Sequence, residues 1–220
     1  MDLQNQQSTQ RTSLRYDAAL RACRDGDLST VQKLINEAQL FKDPKSLRKA
    51  CENGTWGTGV KSSNVANDNE SAYDTTDSIR LHTMLQTATT RSHTRIVVYL
   101  LDQFPARGLH IAEWEVVVNA LGSGSMEMLT PFLAVDPDIV HWVDDRLGGT
   151  VFGVINRLVE EWEKKKALFE LLVDHGADLN MLWRGSSVLD EALDEDCQDT
   201  IEWMIAHGAK RSYDMGTVES

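Results

Sequence analysis

Apolar residues recur at helical spacing along most of the chain, and short polar stretches separate the apolar stripes. One stripe, at 168–173, runs into Gly176, which suits a helix C-cap because glycine adopts the left-handed conformation without a Cβ clash. A second stripe, at 201–205, runs into Gly208, 32 residues further on. Two helices that end alike at this distance predict a tandem helical repeat.

A repeated pattern of two helices covers much of the sequence. Four segments align without gaps, at 17–35, 83–101, 115–133 and 187–205. Each combines a short first helix, a turn and a second helix with an apolar stripe. A small residue recurs in the first helix as Ala22, Ala88, Ala120 and Ala192. A fifth segment, 149–173, fits with about five extra residues, which we place in its first helix or turn.

The repeat resembles the ankyrin family, whose unit is a β-turn finger and two antiparallel helices, with a Thr-Pro-Leu-His start and a Gly-Ala-Asp end. The sequences LLVDHGADLN (171–180) and WMIAHGAK (203–210) carry the resemblance most clearly, and DRLGGTVFG (145–153) keeps the Asp, Gly and Thr of the finger. The four-residue start is never intact, since Val188 and Asp190, for example, stand in its proline and histidine slots. The resemblance implies an all-α, ankyrin-like solenoid of helix-turn-helix repeats with short β-turn fingers.

This resemblance sets the expected organisation of the chain. A disordered N-terminus, 1–12, precedes a repeat domain at 13–214, and a C-terminal tail follows at 215–220. We expect repeats at about 13–43, 44–80, 81–112, 113–147, 148–181 and 182–214. The second repeat carries a polar insertion at 55–80, which has no helical stripe and only Trp56 and Tyr73 as large residues. Such a composition predicts a loop.

The charge of the chain limits its partners. The net charge is −12, with +3 from nine basic and six acidic residues in 1–50 and −15 from 13 and 28 in 51–220. Because an acidic body repels phosphate, we expect neither nucleic acid nor a membrane as partner. A protein partner with a basic surface fits better, and a small-molecule ligand stays possible. Alternatively, the acidity serves solubility alone.

Cysteine and histidine usage points to a reduced compartment and to no metal. The three cysteines lack CxxC spacing, the polar start has no apolar h-region, and no apolar run reaches the length of a membrane span. We therefore expect a cytoplasmic or nuclear protein. The six histidines form no HExxH or zinc-finger pattern, and no cofactor fingerprint is present, so we expect neither metal nor cofactor.

The resemblance also implies where a partner binds. Ankyrin repeats usually bind partners on their concave face, through finger tips and exposed first-helix positions. Carried onto this chain, the finger positions are Trp142, Asp144, Arg146, Trp183 and Arg184. The first-helix positions are Arg91, Glu191, Asp194 and Glu195, and Trp56 of the insertion joins them. Tryptophan beside arginine is typical of binding hot spots, whereas the alternative for each finger tryptophan is packing on the adjacent finger.

The acidic stretch at 189–199 admits several interpretations. It carries six carboxylates, and those of Glu191 and Glu195 are spaced i,i+4 on one helix face. They suit a basic peptide, a cation or acid–base chemistry, or else they form the solvated face of a terminal repeat.

The sequence is compatible with three classes of function. The first is an intracellular interaction module, an adaptor or regulator that holds a partner in the concave groove. The second is a cofactor-free isomerase, cyclase or hydrolase acting on a small organic substrate, with 55–80 as a lid. Its acid–base candidates are His141, Asp144, Glu191 and Asp194. The third is a structural subunit that uses outer helical faces, such as the one carrying Val98 and Tyr99.

Overall fold

The computed structural model describes residues 3–36, 71–106, 114–144 and 149–215, and these are mostly helical. The chain divides into two compact units, Met1–Glu113 and Trp114–Ser220. In the described ranges, no helix combines the length and the apolar character that a membrane crossing requires.

The N-terminal unit is built from helices alone in its described part. These are α1 (Leu3–Asp25), α2 (Leu28–Asn36), α3 (Ser71–Thr90), α4 (Thr94–Leu101) and the single turn α5 (Gln103–Ala106). Because α1 begins at Leu3, the expectation of a disordered N-terminus at 1–12 is wrong from that residue onward. The start of α2 is fixed by Asp27, whose carboxylate accepts hydrogen bonds from the Thr30 hydroxyl at 2.6 Å and the Thr30 amide at 3.0 Å. These bonds hold the pKa of Asp27 at about 2.

The first helical pair packs directly on the pair at 83–101. Helix α1 lies along α3, and α2 contacts α4. The His93 Nε2 atom lies 2.9 Å from the Arg24 carbonyl oxygen, and the Tyr99 hydroxyl donates to Asn36 Oδ1 at 3.1 Å. The two ungapped segments of this unit are therefore neighbours in space.

The polar insertion is shorter than the sequence predicts. Helix α3 begins at Ser71, so 71–80 is helical and not a loop, and the expected repeat boundary at 80 falls inside a helix. The apolar residues that recur at helical spacing in α3 begin with Leu81, which is buried, so the first turns of the helix give no signal in the sequence. The rest of the insertion, with Trp56, and most of the repeat expected at 44–80 lie outside the described residues.

The C-terminal unit alternates helical pairs with two short hairpins. Its helices are α6 (Trp114–Gly122), α7 (Met126–Val135), α8 (Val151–Leu158), α9 (Trp162–Asp174), α10 (Val188–Asp194) and α11 (Gln198–Ala206), with 3-10 helices at Pro137–His141 and Ser212–Met215. Strand β1 (Val143–Asp144) pairs antiparallel with β2 (Gly149–Thr150), and β3 (Leu182–Trp183) with β4 (Ser186–Ser187). Each hairpin leads directly into a helix.

All four ungapped segments turn between their helices with the same backbone conformation. The tenth residue of each segment has a positive φ. These residues are Gly26 (78°), Ser92 (57°), Gly124 (69°) and Asp196 (53°). At Gly26 glycine is also needed for space, because a Cβ atom would lie 2.9 Å from the His93 ring. Serine and aspartate adopt this conformation at a cost, so the turn is imposed by the helical pair and not by glycine alone.

The fifth helical pair is longer mainly in its second helix. Helix α9 has 13 residues where α11 has nine, whereas α8 has eight where α10 has seven. The prediction that the extra residues lie in the first helix or turn is wrong for four of them, since they add about one helical turn to α9. A row of rings holds these layers together, with Phe169 5.5 Å from Phe152 and 5.2 Å from the buried Trp203.

Candidate functional site

The finger at 182–187 is a tight hairpin with an arginine and a tryptophan at its tip. Its two loop residues, Arg184 and Gly185, have φ angles of 49° and 83°, as a two-residue type I′ turn requires. The Arg184 guanidinium lies 4.8 Å from the centre of the Trp183 ring, within the range of a cation–π interaction. Arg184 is exposed and Trp183 is partly exposed. The turn fixes the backbone at the tip, and the ring contact places the Arg184 guanidinium over the Trp183 ring.

The other predicted finger tryptophan packs against a helix. Trp142 precedes β1, and its ring centre lies 5.7 Å from that of Trp114 at the start of α6. Trp142 thus contacts a helix residue of its own unit and not the adjacent finger, and its side chain stays partly exposed. Arg146 lies outside the described residues.

Two of the four acid–base candidates of the enzyme hypothesis, Glu191 and Asp144, belong to segments that lie against strand β2. Glu191 places its carboxylate against β2, so that a Cβ atom on Gly149 would lie 3.2 Å from it. Gly149 pairs with Asp144 in the hairpin, which brings the backbone of Asp144 to this neighbourhood. Asp194 is exposed on the same helix as Glu191, and His141 is exposed at the end of its 3-10 helix.

Glu191 and Glu195 are paired within the molecule and do not form an open acidic patch. Arg157 of α8 donates from Nη2 to Glu191 at 3.2 Å and from Nε to Glu195 at 3.1 Å. Burial raises the pKa of Glu191, and the Arg157 charge opposes that rise. The expectation that these two carboxylates await a basic partner is therefore corrected, because an arginine of the preceding helical pair already occupies them.

Asp190 is also used internally, as part of a capping box. The Ser187 amide donates to Asp190 Oδ2 at 3.1 Å, while Ser187 Oγ accepts from the Asp190 amide at 3.2 Å. Arg211 and the Ser212 amide bind the same carboxylate at 3.2 and 2.9 Å. Burial alone would raise the pKa of Asp190, but the hydrogen bonds from Ser212 and Ser187 hold it well below its usual range.

Behind this ion pair lies a buried polar network that sequence reasoning missed. The Lys165 ammonium donates to Asn156 Oδ1 at 2.9 Å and to the Asn156 carbonyl at 3.0 Å. Thr200 donates to the same Oδ1 at 3.0 Å, and Asn156 Nδ2 donates to Glu195 at 2.6 Å. The sequence does give one sign of this network, because Asn156 and Lys165 are polar residues at positions where the apolar stripes of their helices face inward. The network ties α8, α9 and α11 into one rigid support for α10.

The remaining predicted residues are distributed as follows. Arg91 is exposed in the turn between α3 and α4 of the N-terminal unit. Asp194 is exposed in the C-terminal unit, together with Asp196, Asp199 and Glu202. In the described ranges, no three His, Cys, Asp or Glu side chains are placed to share a metal ion. The C-terminal unit therefore offers a Trp183–Arg184 pair at a finger tip and, from the end of α10 onward, a set of exposed carboxylates.

No model of a known protein family matches this chain, and no curated protein matches it.

Proposed function

We propose that this chain is a divergent ankyrin-repeat protein and that it serves as a protein-interaction module, an adaptor or regulator. The repeat is supported by the helix bounds of the four ungapped segments and by the positive φ at their tenth residue. It is also supported by the two hairpins, each of which ends at the N-cap of a first helix, Thr150 or Ser187. In this proposal the fingers and first helices line a concave groove.

The observation that carries the proposal is the ordered Trp183–Arg184 tip. Association costs free energy for each flexible side chain that becomes immobile, about 0.5–1.5 kcal/mol. The type I′ turn and the cation–π contact remove part of that cost in advance. Leu182, 48% exposed on the same finger, adds apolar area beside the tip. A rigid aromatic ring with a cation and an apolar neighbour is the composition of an interface hot spot.

The partner that fits best is a protein with basic groups beside an apolar pocket. Asp196 and Asp199 keep exposed carboxylates after the internal ion pairs are formed. Basic groups of a partner would be drawn to them over roughly a Debye length, about 8 Å in physiological salt. We place this module in the cytoplasm or nucleus. Cys23 and Cys197 are free thiols, and burial raises the pKa of Cys23 to about 12, which suits a packing role.

The test is a quantitative capture experiment with the whole chain as bait. We compare the wild type with Trp183→Ala and with Trp162→Ala, which removes a partly exposed tryptophan at the start of α9 instead of a finger. The proposal predicts that Trp183→Ala lowers capture of one stoichiometric protein by a factor of about 30, as loss of a 2 kcal/mol hot spot would. Trp162→Ala should retain that protein.

The same eluates separate the alternatives. Equal capture by all three baits would show that the finger does not bind the partner. A small organic molecule held by the wild type without a stoichiometric protein would favour the cofactor-free enzyme instead.

A further inference from the structure

Two positions of the last helical pair are exposed although their equivalents are buried in every other ungapped segment. Leu193, the seventh residue of its segment, is 38% exposed, and Ile205, the nineteenth, is 58% exposed. The equivalents of Leu193 are at most 1% exposed, namely Cys23, Thr89 and Leu121. The equivalents of Ile205 are at most 4% exposed, namely Ile35, Leu101 and Leu133. Helices α10 and α11 thus present an apolar face that the repeat pattern normally covers.

The first helical pair is more exposed on a different set of positions. Ala18, Thr30 and Leu34, at positions 2, 14 and 18, are partly exposed. At these positions the other three segments are at most 3% exposed, with Met84, Val116, Val188, Ile96, Met128, Thr200, Leu100, Phe132 and Met204. The face opened here is therefore the one that each later segment keeps buried.

Contacts within the two units show which way these positions face. Tyr99, at position 17 of its segment, reaches back to Asn36 of the preceding pair. Trp203, at the same position of its own segment, reaches back to Phe169. The face that includes positions 17 and 18 thus meets the preceding pair, and the face opened at Leu193 and Ile205 is the one that would meet a following pair.

The two open faces carry opposite charges at the repeat positions where an ion pair joins neighbouring helical pairs. Arg157 and Asp194 each lie seven residues after the N-cap of their first helix, and Arg157 contacts Glu191, four residues after the next N-cap. The position equivalent to Glu191 in the first segment is Arg21, which is exposed. Asp194 facing Arg21 would therefore repeat the Arg157–Glu191 contact with the charges exchanged. The net positive charge of residues 1–50 and the net negative charge of residues 51–220 also favour contact between the first and the last helical pair of two copies.

We propose that the chain binds a second copy of itself head to tail. The tail face, formed by Leu193, Asp194 and Ile205, receives the head face of the next copy, formed by Ala18, Arg21, Thr30 and Leu34. Such an interface joins two different surfaces, so each copy in a dimer keeps one open face and association continues into a filament or a ring. Tail-to-tail pairing would instead bring acidic surfaces together.

The test mixes two variants with one blocked face each. Ile205→Glu blocks the tail and Ala18→Glu blocks the head, and both positions are solvent-accessible helix sites where glutamate is tolerated. In sedimentation experiments the wild type should grow beyond a dimer with rising concentration. Each variant alone should sediment as a monomer of 24.7 kDa. An equimolar mixture should give a dimer and nothing larger, because it holds one intact head and one intact tail.

A charge exchange tests the register. Asp194→Arg and Arg21→Asp should each weaken self-association by roughly tenfold, and the chain with both substitutions should regain it. Met126→Glu, at an apolar residue that is 48% exposed but outside both faces, is the matched control and should associate like the wild type. Circular dichroism checks that every variant keeps its helices.

Two results would overturn the proposal. One is a wild type that stays at 24.7 kDa up to its solubility limit. The other is a dimer that Ile205→Glu abolishes but that mixing with Ala18→Glu does not restore, since that pattern belongs to a symmetric interface.

Discussion

Asn156 is the residue on which the buried polar network of the C-terminal unit depends. Replacing it by leucine removes the side-chain acceptor of Lys165 and the donor to Glu195. A buried ammonium left short of hydrogen bonds is costly, so we expect Asn156→Leu to lower the free energy of unfolding by about 3 kcal/mol. Urea denaturation followed by circular dichroism measures the change.

Adding Lys165→Met to Asn156→Leu tests whether the unsatisfied ammonium causes the loss of stability. In Asn156→Leu/Lys165→Met no buried ammonium remains and Glu195 keeps its Arg157 partner, so most of the lost stability should return. Lys166→Met is the control at the adjacent, 43% exposed lysine and should change stability by less than about 0.5 kcal/mol. If the double variant is as unstable as Asn156→Leu, the loss comes from packing and not from the ammonium.

At the residue scale, the sequence predicts turns well and polar pairing poorly. Gly26 and Gly124 mark their turns by composition, whereas Ser92 and Asp196 were found only because the segments align without gaps. Arg157 gave no signal, because its two glutamate partners lie 34 and 38 residues away and hydrophobic periodicity carries no record of such pairs. For this reason the sequence predicts more unpaired carboxylates at 189–199 than the structure has.

Helix α10 carries two adjacent carboxylates with opposite effects on stability. The pKa of Asp190 in the folded state lies below its ordinary value of 3.8, so its ionisation stabilises the fold at all higher pH. We expect Asp190→Ala to cost about 2 kcal/mol at neutral pH, through loss of the capping box and of charged hydrogen bonds. This cost should shrink as the pH falls below 3.8, measured by urea denaturation across a pH series.

Glu191 serves as the internal comparison on the same helix. Its folded-state pKa lies above the ordinary value of 4.5, so ionisation favours the unfolded chain as the pH rises through the window above 4.5. The stability of Glu191→Gln relative to the wild type should therefore improve over that window. A parallel pH dependence for both variants would contradict the environments assigned to the two carboxylates.

At the element scale, helix pairs were predictable and their lengths were not. The stripe before Gly176 and Gly208 correctly places the ends of α9 and α11, because apolar spacing and a C-cap glycine are both local signals. The extra turn of α9 and the early start of α3 escaped prediction, since a polar sequence becomes helical there through continuation of a packed helix. Trp142 looked like a finger contact because its partner, Trp114, lies 28 residues earlier.

At the scale of the whole molecule, the C-terminal unit has what an independently folding domain requires. Trp114–Ser220 contains three successive helical pairs, about the minimum number for a stable repeat array. Phe132, Phe152 and Phe169 are each at most 1% exposed, and burial of such a side chain contributes about 1.5–3 kcal/mol. The Lys165 network and the Arg157 ion pairs also lie entirely within this unit.

We therefore expect a chain limited to 114–220 to fold and to unfold in one cooperative urea transition, seen alike by circular dichroism and tryptophan fluorescence. Phe169→Ala in that chain should lower its stability by about 4 kcal/mol, because the ring contacts both Phe152 and Trp203 and leaves a cavity when it is removed. Val173→Ala, a partly exposed position on the same helix, should cost much less. A broad transition that Phe169→Ala does not shift would mean that the packing seen here needs the rest of the chain.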